Sequence, residues 1–429
     1  MDNDFQKLFP YFEQNKKLTY LDSANTSQIL GSCLSSMIKV YSNYNYNIGR
    51  ASYSGARWTQ QLKDWSLQVY ADFIGTKPDN IILTTGATEG LNLIAYSYCS
   101  MLHKMKKKAI LLTTKLEHAS AIMPWLVFGK NIVDIKYIDL KEDYTLSIEN
   151  FNKAVKEYNP DIVLLSSMTN TTGEIRPIKE IGAITKEKHI TFIVDHAQGA
   201  AHVPINVTEC NIDFLAFSLH KMYGPKGIGI LYAKIPNFIR PMKVGGGMNK
   251  YFTPEGEFEF LDSNDKMYAG TENVPGAFAG TDAALTLSQS WDIIQMQDLY
   301  LGLFAHRLLS KLPKIKIYSN PQSPILLFNI DGFEALDVMN YLDKKNIFIR
   351  AGNHCSKLTK DLFGLSTCRV SLGIYNSEED LMKLYKALKE MESEILCLEN
   401  VQDQKTVKSE NVGQINVCLL YTSDAADEG

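Results

Sequence analysis

Two short motifs contain a lysine and an aspartate that could act together in covalent catalysis. The motifs read VDHAQ at residues 194–198 and SLHKMYGPKG at residues 218–227. Lys221 could form a Schiff base with the aldehyde of pyridoxal phosphate (PLP), and Asp195 could keep the pyridine nitrogen of that cofactor protonated. Alone, the lysine would be interpreted as a surface residue and the aspartate as a strand-end cap. The two motifs together favour a PLP site.

Each motif follows a predicted buried strand. Residues 191–194 form a short apolar, partly β-branched run that ends at Asp195. Residues 213–217 form a second run, which is followed by Ser218 and Lys221. Because a ligand crevice opens at the carboxyl ends of the strands in an open α/β sheet, we expect these side chains to converge on one site.

The wider pattern predicts an α/β fold with two domains. Between residues 21 and 285, helical patterns alternate with β-rich runs at residues 81–84, 109–112, 162–165, 192–194 and 229–232. This alternation predicts a mainly parallel sheet wrapped by helices. A long helical stretch at residues 286–312 precedes β-rich runs at residues 315–318, 325–328 and 347–350 and a final helix from about Glu378. The second pattern predicts a smaller C-terminal α/β domain.

We therefore expect a large PLP-binding domain at residues 21–285 and a small domain at residues 286–396, with the N-terminal segment 1–20 packed against the small domain. Residues 397–429 are polar and aperiodic, which predicts a disordered tail. Within this tail, residues 418–428 (CLLYTSDAADE) resemble a translated sequencing adapter and are excluded from the reasoning on fold and function. The natural C-terminus would then be missing.

Composition sets the broad class of the protein. Of 429 residues, 45% are hydrophobic and 21% are charged, which is typical of a soluble globular protein. The net charge of −4 gives no basic surface for nucleic acid, and no apolar run approaches the roughly 20 residues that span a bilayer. The N-terminus lacks the features of a secretory signal, so we expect a cytoplasmic protein. The seven cysteines include no CxxC pair, so neither a metal site nor a disulfide framework is indicated.

A series of motifs between residues 20 and 394 resembles the class V aminotransferase family, and most closely its SufS-type cysteine desulfurases. The motifs are YLDSA at 20–24, TGATEG at 85–90, EH at 117–118, TNTTG at 169–173, VDHAQ at 194–198, SLHKMYGPKG at 218–227, AGT at 269–271, RAGNHC at 350–355 and CRVSL at 368–372. The resemblance implies a PLP-dependent fold type I enzyme.

The resemblance also implies a set of cofactor ligands. The segment around Ala87 and Thr88 opens a predicted helix, whose first N–H groups and dipole could hold the cofactor phosphate. Ser218 and His220 would add side-chain donors. Thr271 matches a threonine that the family supplies from the partner subunit, which implies a homodimer.

The remaining implied roles concern the cofactor ring and the substrate. His118 would stack on the ring and take part in catalysis, and Gln198 and Asn170 would hydrogen-bond the ring oxygen or the substrate. Arg369 would hold the substrate carboxylate, because a guanidinium offers two parallel donors, and Arg350 belongs to the same substrate site. Cys355 would attack the substrate sulfur as a thiolate and carry it away as a persulfide.

The expected activity is conversion of L-cysteine to L-alanine, with sulfur passed to a SufE-like or SufU-like acceptor protein for iron–sulfur cluster or related biosynthesis. A selenocysteine lyase, another class V lyase or transaminase, and a catalytically silent sulfur-transfer scaffold are the alternatives. Three positions depart from the family pattern: Asn353 replaces a histidine, residues 47–51 (NIGRA) replace Asn-Val-His-Arg-Gly, and Asn25 replaces a small residue.

Overall fold

The computed structural model of the protein describes residues 4–49, 52–364 and 366–409. The strands of the described residues are β1 (Thr19–Tyr20), β2 (Ile81–Thr84), β3 (Ala109–Thr113), β4 (Val133–Tyr137), β5 (Ile162–Ser166), β6 (Thr191–Asp195), β7 (Phe214–Ser218), β8 (Gly229–Ala233), β9 (Asn249–Phe252), β10 (Phe258–Phe260), β11 (Ile315–Ile317), β12 (Ile325–Ile330), β13 (Ile347–Phe348), β14 (Arg350–Gly352) and β15 (Thr367–Ser371).

The helices of the same residues are α1 (Pro10–Gln14), α2 (Gly31–Asn43), α3 (Ser54–Ile74), α4 (Ala87–Met105), α5 (Ala119–Phe128), α6 (Ile148–Tyr158), α7 (Ile178–Glu187), α8 (Val274–Ser288), α9 (Trp291–Leu309), α10 (Ala335–Lys344), α11 (Lys360–Phe363) and α12 (Glu378–Ser409). Short 3₁₀ turns lie at Asp4–Leu8, Pro78–Asn80, Gly199–Ala201, Leu219–Lys221, Pro236–Phe238, Asn264–Met267 and Lys357–Thr359.

A seven-stranded sheet forms the centre of the larger unit. Its strand order is β2-β8-β7-β6-β5-β3-β4. The strands from β7 to β4 pair in parallel, and β8 runs antiparallel to both of its neighbours. The predicted mainly parallel sheet is therefore confirmed. Strands β6 and β7 are neighbours, so Asp195 and Ser218 end two adjacent strands at the same edge of the sheet.

Helices cover both faces of this sheet, which explains why its inner strands are continuous runs of mostly apolar residues. On β5, Val163 and Leu165 belong to one core cluster, whereas Ile162 and Leu164 belong to the cluster on the opposite face. A parallel strand buried on both faces is a continuous hydrophobic run, not an alternating one. The apolar runs of the sequence therefore locate these strands correctly.

The smaller unit has an antiparallel four-stranded sheet in the order β11-β12-β15-β14. Helices α9, α10 and α12 supply the other side of its core, which also contains Leu21. Strand β1 pairs in parallel with β13, and Phe9 packs against both Tyr223 and Tyr375. The N-terminal segment thus contacts both units, and the domain limits at 21–285 and 286–396 remain a prediction.

Two expectations about helices need correction. The helical stretch expected at 286–312 is divided, because α8 ends at Ser288 and α9 begins at Trp291. Helix α12 continues to Ser409, so the disordered tail expected from residue 397 is wrong for residues 397–409. That stretch is polar, but about half of its residues favour helix, namely Leu398, Glu399, Gln402, Gln404, Lys405 and Lys408. Residues 410–429, with the adapter-like 418–428, lie outside the described residues.

Within the described part of the chain, no helix combines the length and the apolar character needed to cross a bilayer.

Candidate active site

A cavity of about 210 Å³ lies at the carboxyl ends of β5, β6 and β7, where Ser166, Asp195 and Ser218 line it. The structure brings almost all of the sequence-predicted site residues to this one cavity. Those that line it are Ala87, Thr88, His118, Asn170, Asp195, Gln198, Ser218, His220, Lys221, Arg350, Cys355 and Arg369. Their individual roles remain a prediction.

Thr271 is the predicted residue that the structure does not bring to this cavity. It is exposed and lines a separate cavity beside Tyr44 and Asn47. Its predicted role at the site of a partner subunit stays a prediction. Sequence analysis also missed lining residues, namely Ala24, Ser120, Ser166, Met168 and Ala197. Of these, Ser166 could have been found, because it ends a predicted parallel strand.

Lys221 and Asp195 face the cavity with shifted pKa values. Asp195 is 5% exposed, and burial raises its pKa to about 6 although the Ala197 N–H donates to its Oδ1 at 2.9 Å. Burial lowers the pKa of Lys221 to about 8, opposed by the charge of Asp195 and reinforced by that of Arg369. A lysine with a lowered pKa has a larger fraction of neutral, nucleophilic amine near neutral pH.

His118 is neutral at physiological pH and has a defined tautomer. It caps α5, and its Nδ1 accepts a hydrogen bond from the Ser120 N–H at 3.1 Å. Burial, together with the nearby cations Lys221 and Arg350, lowers the pKa of His118 to about 4. Because Nδ1 is an acceptor, the ring proton lies on Nε2. The ring is an uncharged surface on which an aromatic cofactor can stack.

The start of α4 forms an anion-binding end of the cavity. Ala87 donates its backbone N–H to Ser218 Oγ at 2.7 Å, so the Ser218 hydroxyl proton is free to donate to a ligand. The following N–H groups of this 19-residue helix have no intrahelical acceptor, and the helix dipole adds positive potential. Thr88 lies in the same turn, with its hydroxyl 2.9 Å from that of Ser120. This arrangement suits a phosphate group.

Arg369 also lines the cavity. It is 1% exposed; its Nη1 donates to the Asn170 carbonyl at 2.8 Å and its Nη2 donates to Asp22 Oδ1 at 3.1 Å. Within the described residues, its Nε has no hydrogen-bond acceptor. The Oε1 atom of Gln198 likewise has no hydrogen-bond donor there. Buried polar atoms are rarely left unpaired. These two atoms therefore fit a polar ligand that fills the cavity.

Cys355 lies in a loop that is fixed through its main chain. Ala119 donates its N–H to the Cys355 carbonyl at 2.8 Å, and the Asn170 side chain donates to the His354 carbonyl at 2.8 Å. Asn170 also accepts from Ser356 Oγ at 3.1 Å, a loop-holding role that sequence analysis missed. The loop holds the Cys355 side chain at the cavity, with its Sγ 3.4 Å from Arg350 Nη2.

Cys355 differs from the other cysteines whose environment is described. It is exposed, whereas Cys33, Cys99, Cys210 and Cys368 are buried. Burial raises the pKa of each of these four thiols, to about 12 for Cys33 and Cys368. Accessible cysteines beside a cation are the reactive ones, and thiols in apolar surroundings are inert.

A buried ion cluster lies beside the cavity residues Ser166 and His118. Arg176 is fully buried and pairs with Glu117 and with Glu174. Glu117 in turn accepts the Ser166 N–H at 2.8 Å, and it directly precedes His118 in the chain. The cluster thus ties the end of β5 to the start of α5. Sequence analysis assigned no role at the site to Arg176, Glu117 or Glu174.

Replacing Arg176 with methionine is expected to destabilise the protein by about 3–5 kcal/mol, because Glu117 and Glu174 would stay buried without a counter-charge. Urea unfolding followed by circular dichroism measures the change. Lys179→Met is the matched control, since the pair between Lys179 and Glu209 is exposed on both sides and contributes only ~0–1 kcal/mol. Equal losses in the two variants would contradict the supporting role of the cluster.

Comparison with known proteins identifies relatives over most of the chain. The aminotransferase class-V family model matches residues 19–384. A probable cysteine desulfurase of Ureaplasma parvum is 31% identical over 399 residues, which covers 90% of this chain and 97% of that protein. A probable cysteine desulfurase of Vibrio cholerae is 33% identical over 392 residues, which covers 89% of this chain and 96% of that protein.

Solved structures show the same similarity. A cysteine desulfurase from Thermococcus onnurineus superimposes with a TM-score of 0.85 at 27% identity, covering 91% of this chain and 98% of that one. The cysteine desulfurase CsdA from Escherichia coli superimposes with a TM-score of 0.81 at 26% identity, with the same coverage. The predicted PLP fold type I architecture is confirmed. The chain belongs to the class V aminotransferase family.

Proposed function

We propose that the protein is a PLP-dependent cysteine desulfurase, which converts L-cysteine to L-alanine and retains the sulfur as a persulfide on Cys355. One observation carries the proposal. The exposed Cys355 thiol, 3.4 Å from Arg350 Nη2, opens into the same cavity as Lys221 and Asp195. The similarity of the chain to cysteine desulfurases over about nine-tenths of its length supports the same assignment.

The residues of the cavity fit PLP. Ser218, His220 and the first turn of α4 would hold its phosphate, His118 would lie on its ring, and Asp195 would lie at its pyridine nitrogen. Asp195 has one oxygen held by the Ala197 N–H, and a cationic ring beside it would offset the burial that raises its pKa. When bound, PLP withdraws electrons from the Cα of an amino acid and so acidifies its proton.

The chain itself supplies binding, proton transfer and the nucleophile. Arg369 would bind the substrate carboxylate, with its unpaired Nε available as a donor. Lys221, whose pKa is lowered to about 8, would take and return the proton at Cα. The Cys355 thiolate would attack the substrate sulfur. A sulfur–sulfur bond forms as the carbon–sulfur bond breaks, and the electron pair left on the carbon takes a proton to give alanine.

We also propose that the protein works as a homodimer in which Thr271 completes the phosphate site of the partner subunit. The exposed position of Thr271, outside the lining of the cavity of its own chain, supports this assignment. The persulfide would pass to a SufE-like or SufU-like acceptor for iron–sulfur cluster or related biosynthesis.

The proposal is tested with purified protein supplied with PLP and mixed with L-cysteine. The cofactor absorption band should shift, alanine should accumulate, and peptide mass analysis should place an additional sulfur on Cys355. L-Serine is the matched control, because it lacks the sulfur and should release no alanine. Pyruvate as the main product would indicate another lyase, 3-mercaptopyruvate would indicate a transaminase, and a preference for selenocysteine would indicate a selenocysteine lyase. A protein without a cofactor band and without product would be a silent scaffold.

A further inference from the structure

A continuous series of polar contacts links the two arginines of the cavity through Asp22 and Asn25. Arg369 Nη2 donates to Asp22 Oδ1 at 3.1 Å, and Asn25 Nδ2 donates to Asp22 Oδ2 at 3.0 Å. Asn25 Oδ1 then accepts from Arg350 Nη1 at 2.7 Å. The other terminal nitrogen of Arg350 lies 3.4 Å from Cys355 Sγ. The side chain of Asn25 thus contacts the guanidinium that faces the thiol.

The loop that carries Asn25 is fixed on both sides. Ala24 donates its N–H to Ser371 Oγ at 2.9 Å, on the small sheet, and Ser27 donates its N–H to the His220 carbonyl at 2.8 Å, next to Lys221. Tyr20 donates its hydroxyl to the Thr26 carbonyl at 2.7 Å. Asn25 is therefore presented from a rigid loop, although its own side chain is exposed.

The contact with Asn25 restricts a flexible side chain. The Arg350 side chain is half-buried and has long, flexible methylene groups, so an unanchored guanidinium would sample many rotamers. Asn25 Oδ1 accepts from one edge of the guanidinium and leaves the other edge directed at the sulfur. Because a guanidinium is rigid and planar, a hydrogen bond at one terminal nitrogen restricts the positions that the second can take.

We propose that Asn25 is a positioning residue that holds the Arg350 guanidinium against Cys355 and so raises the reactivity of the thiol at neutral pH. A cation beside a cysteine favours its thiolate, which is the form that attacks. The inference rests on the proposed function only for the use made of Cys355, since the contacts exist without substrate. The charged and titratable groups that share the cavity with Cys355 are Asp195, Arg350, His354, His118, His220, Lys221 and Arg369.

The test is the rate at which iodoacetamide alkylates Cys355 in the PLP-loaded enzyme without L-cysteine, with the modified residue identified by peptide mass. Asn25→Ala should lower this rate at neutral pH by about two- to fivefold, the range that an ion pair at an exposed position supports. The difference should disappear at high pH, where the thiol is ionised whether or not Arg350 is in place. Asn25→Gln keeps an amide at an exposed position and should recover most of the rate.

Two comparisons separate this role from a general loss of structure. Asn353→Ala removes an exposed asparagine from the Cys355 loop itself and should leave the alkylation rate unchanged. In an Arg350→Ala background, Asn25→Ala should not change the alkylation rate further. This double-mutant cycle isolates the effect that Asn25 exerts through Arg350. An unchanged pH profile in Asn25→Ala, or an equal loss in the Arg350→Ala background, overturns the proposal. The alkylation rate requires no turnover, so a failed desulfurase assay would leave this result standing.

Discussion

Replacing Lys221 with alanine is expected to abolish the covalent attachment of PLP and to lower turnover of L-cysteine by about 100- to 10,000-fold, the range for loss of a general acid–base group. Lys221 is the lysine of the described chain that lines the cavity, and its lowered pKa of about 8 suits it to both covalent attachment and proton transfer. Borohydride reduction followed by peptide mass analysis measures the attachment. The alanine assay measures the turnover.

Lys226→Ala is the matched control for this experiment. Lys226 lies five residues further along the same motif but is exposed, so this variant should keep both the reducible PLP link and the activity. Thermal unfolding of both variants should stay close to that of the parent protein. A reducible adduct that survives in Lys221→Ala would assign the cofactor lysine to another position.

Cys355→Ser is expected to lower alanine formation by a factor on the order of 1,000 or more, while the cofactor band still responds to L-cysteine. A serine hydroxyl is not ionised at neutral pH and is a far poorer nucleophile than a thiolate, so sulfur would not leave the substrate. Binding of the substrate through Arg369 and the cofactor would be unaffected. The measurement follows the cofactor band and alanine in the same sample.

The control here is Cys210→Ser, which changes a cysteine remote from the cavity. Cys210 is 9% exposed and lines a different cavity, beside Ile178 and Lys179 of α7, so alanine formation should continue at the parent rate. Alanine formed at the parent rate by Cys355→Ser would make Cys355 a structural residue. The protein would then be another lyase or transaminase of the same family.

The position of the site in the large sheet could be predicted because two apolar runs are each followed by a motif with a residue suited to bind PLP. The apolar runs before Asp195 and Ser218 are buried on both faces, so they are visible as β6 and β7 without any knowledge of their neighbours. The edge strand β4 was missed. Its sequence, VDIKY, alternates charged and apolar residues, and its side chains are partly exposed, so it lacks the continuous apolar character of the inner strands.

The contacts between distant loops could not be predicted. Asn170 and His354 are 184 residues apart, and Asn25 and Arg350 are 325 residues apart. Each motif was visible as a short pattern, but a hydrogen bond between two loops depends on how both units pack, which neither local sequence encodes. The Arg176 cluster was missed for the same reason, since a charged residue is expected at the surface unless its partners are known.

The Cys355 loop is held through its main chain and not through the thiol. His354 and Cys355 both adopt left-handed backbone angles, with φ of 51° and 57°. Their carbonyls, and not the thiol, make the bonds to Asn170 and Ala119. These main-chain bonds that hold the loop do not involve the sulfur atom of Cys355. In the proposed reaction the thiol would lengthen by one atom and shorten again in every cycle, and neither change would alter the two carbonyl contacts that hold the loop.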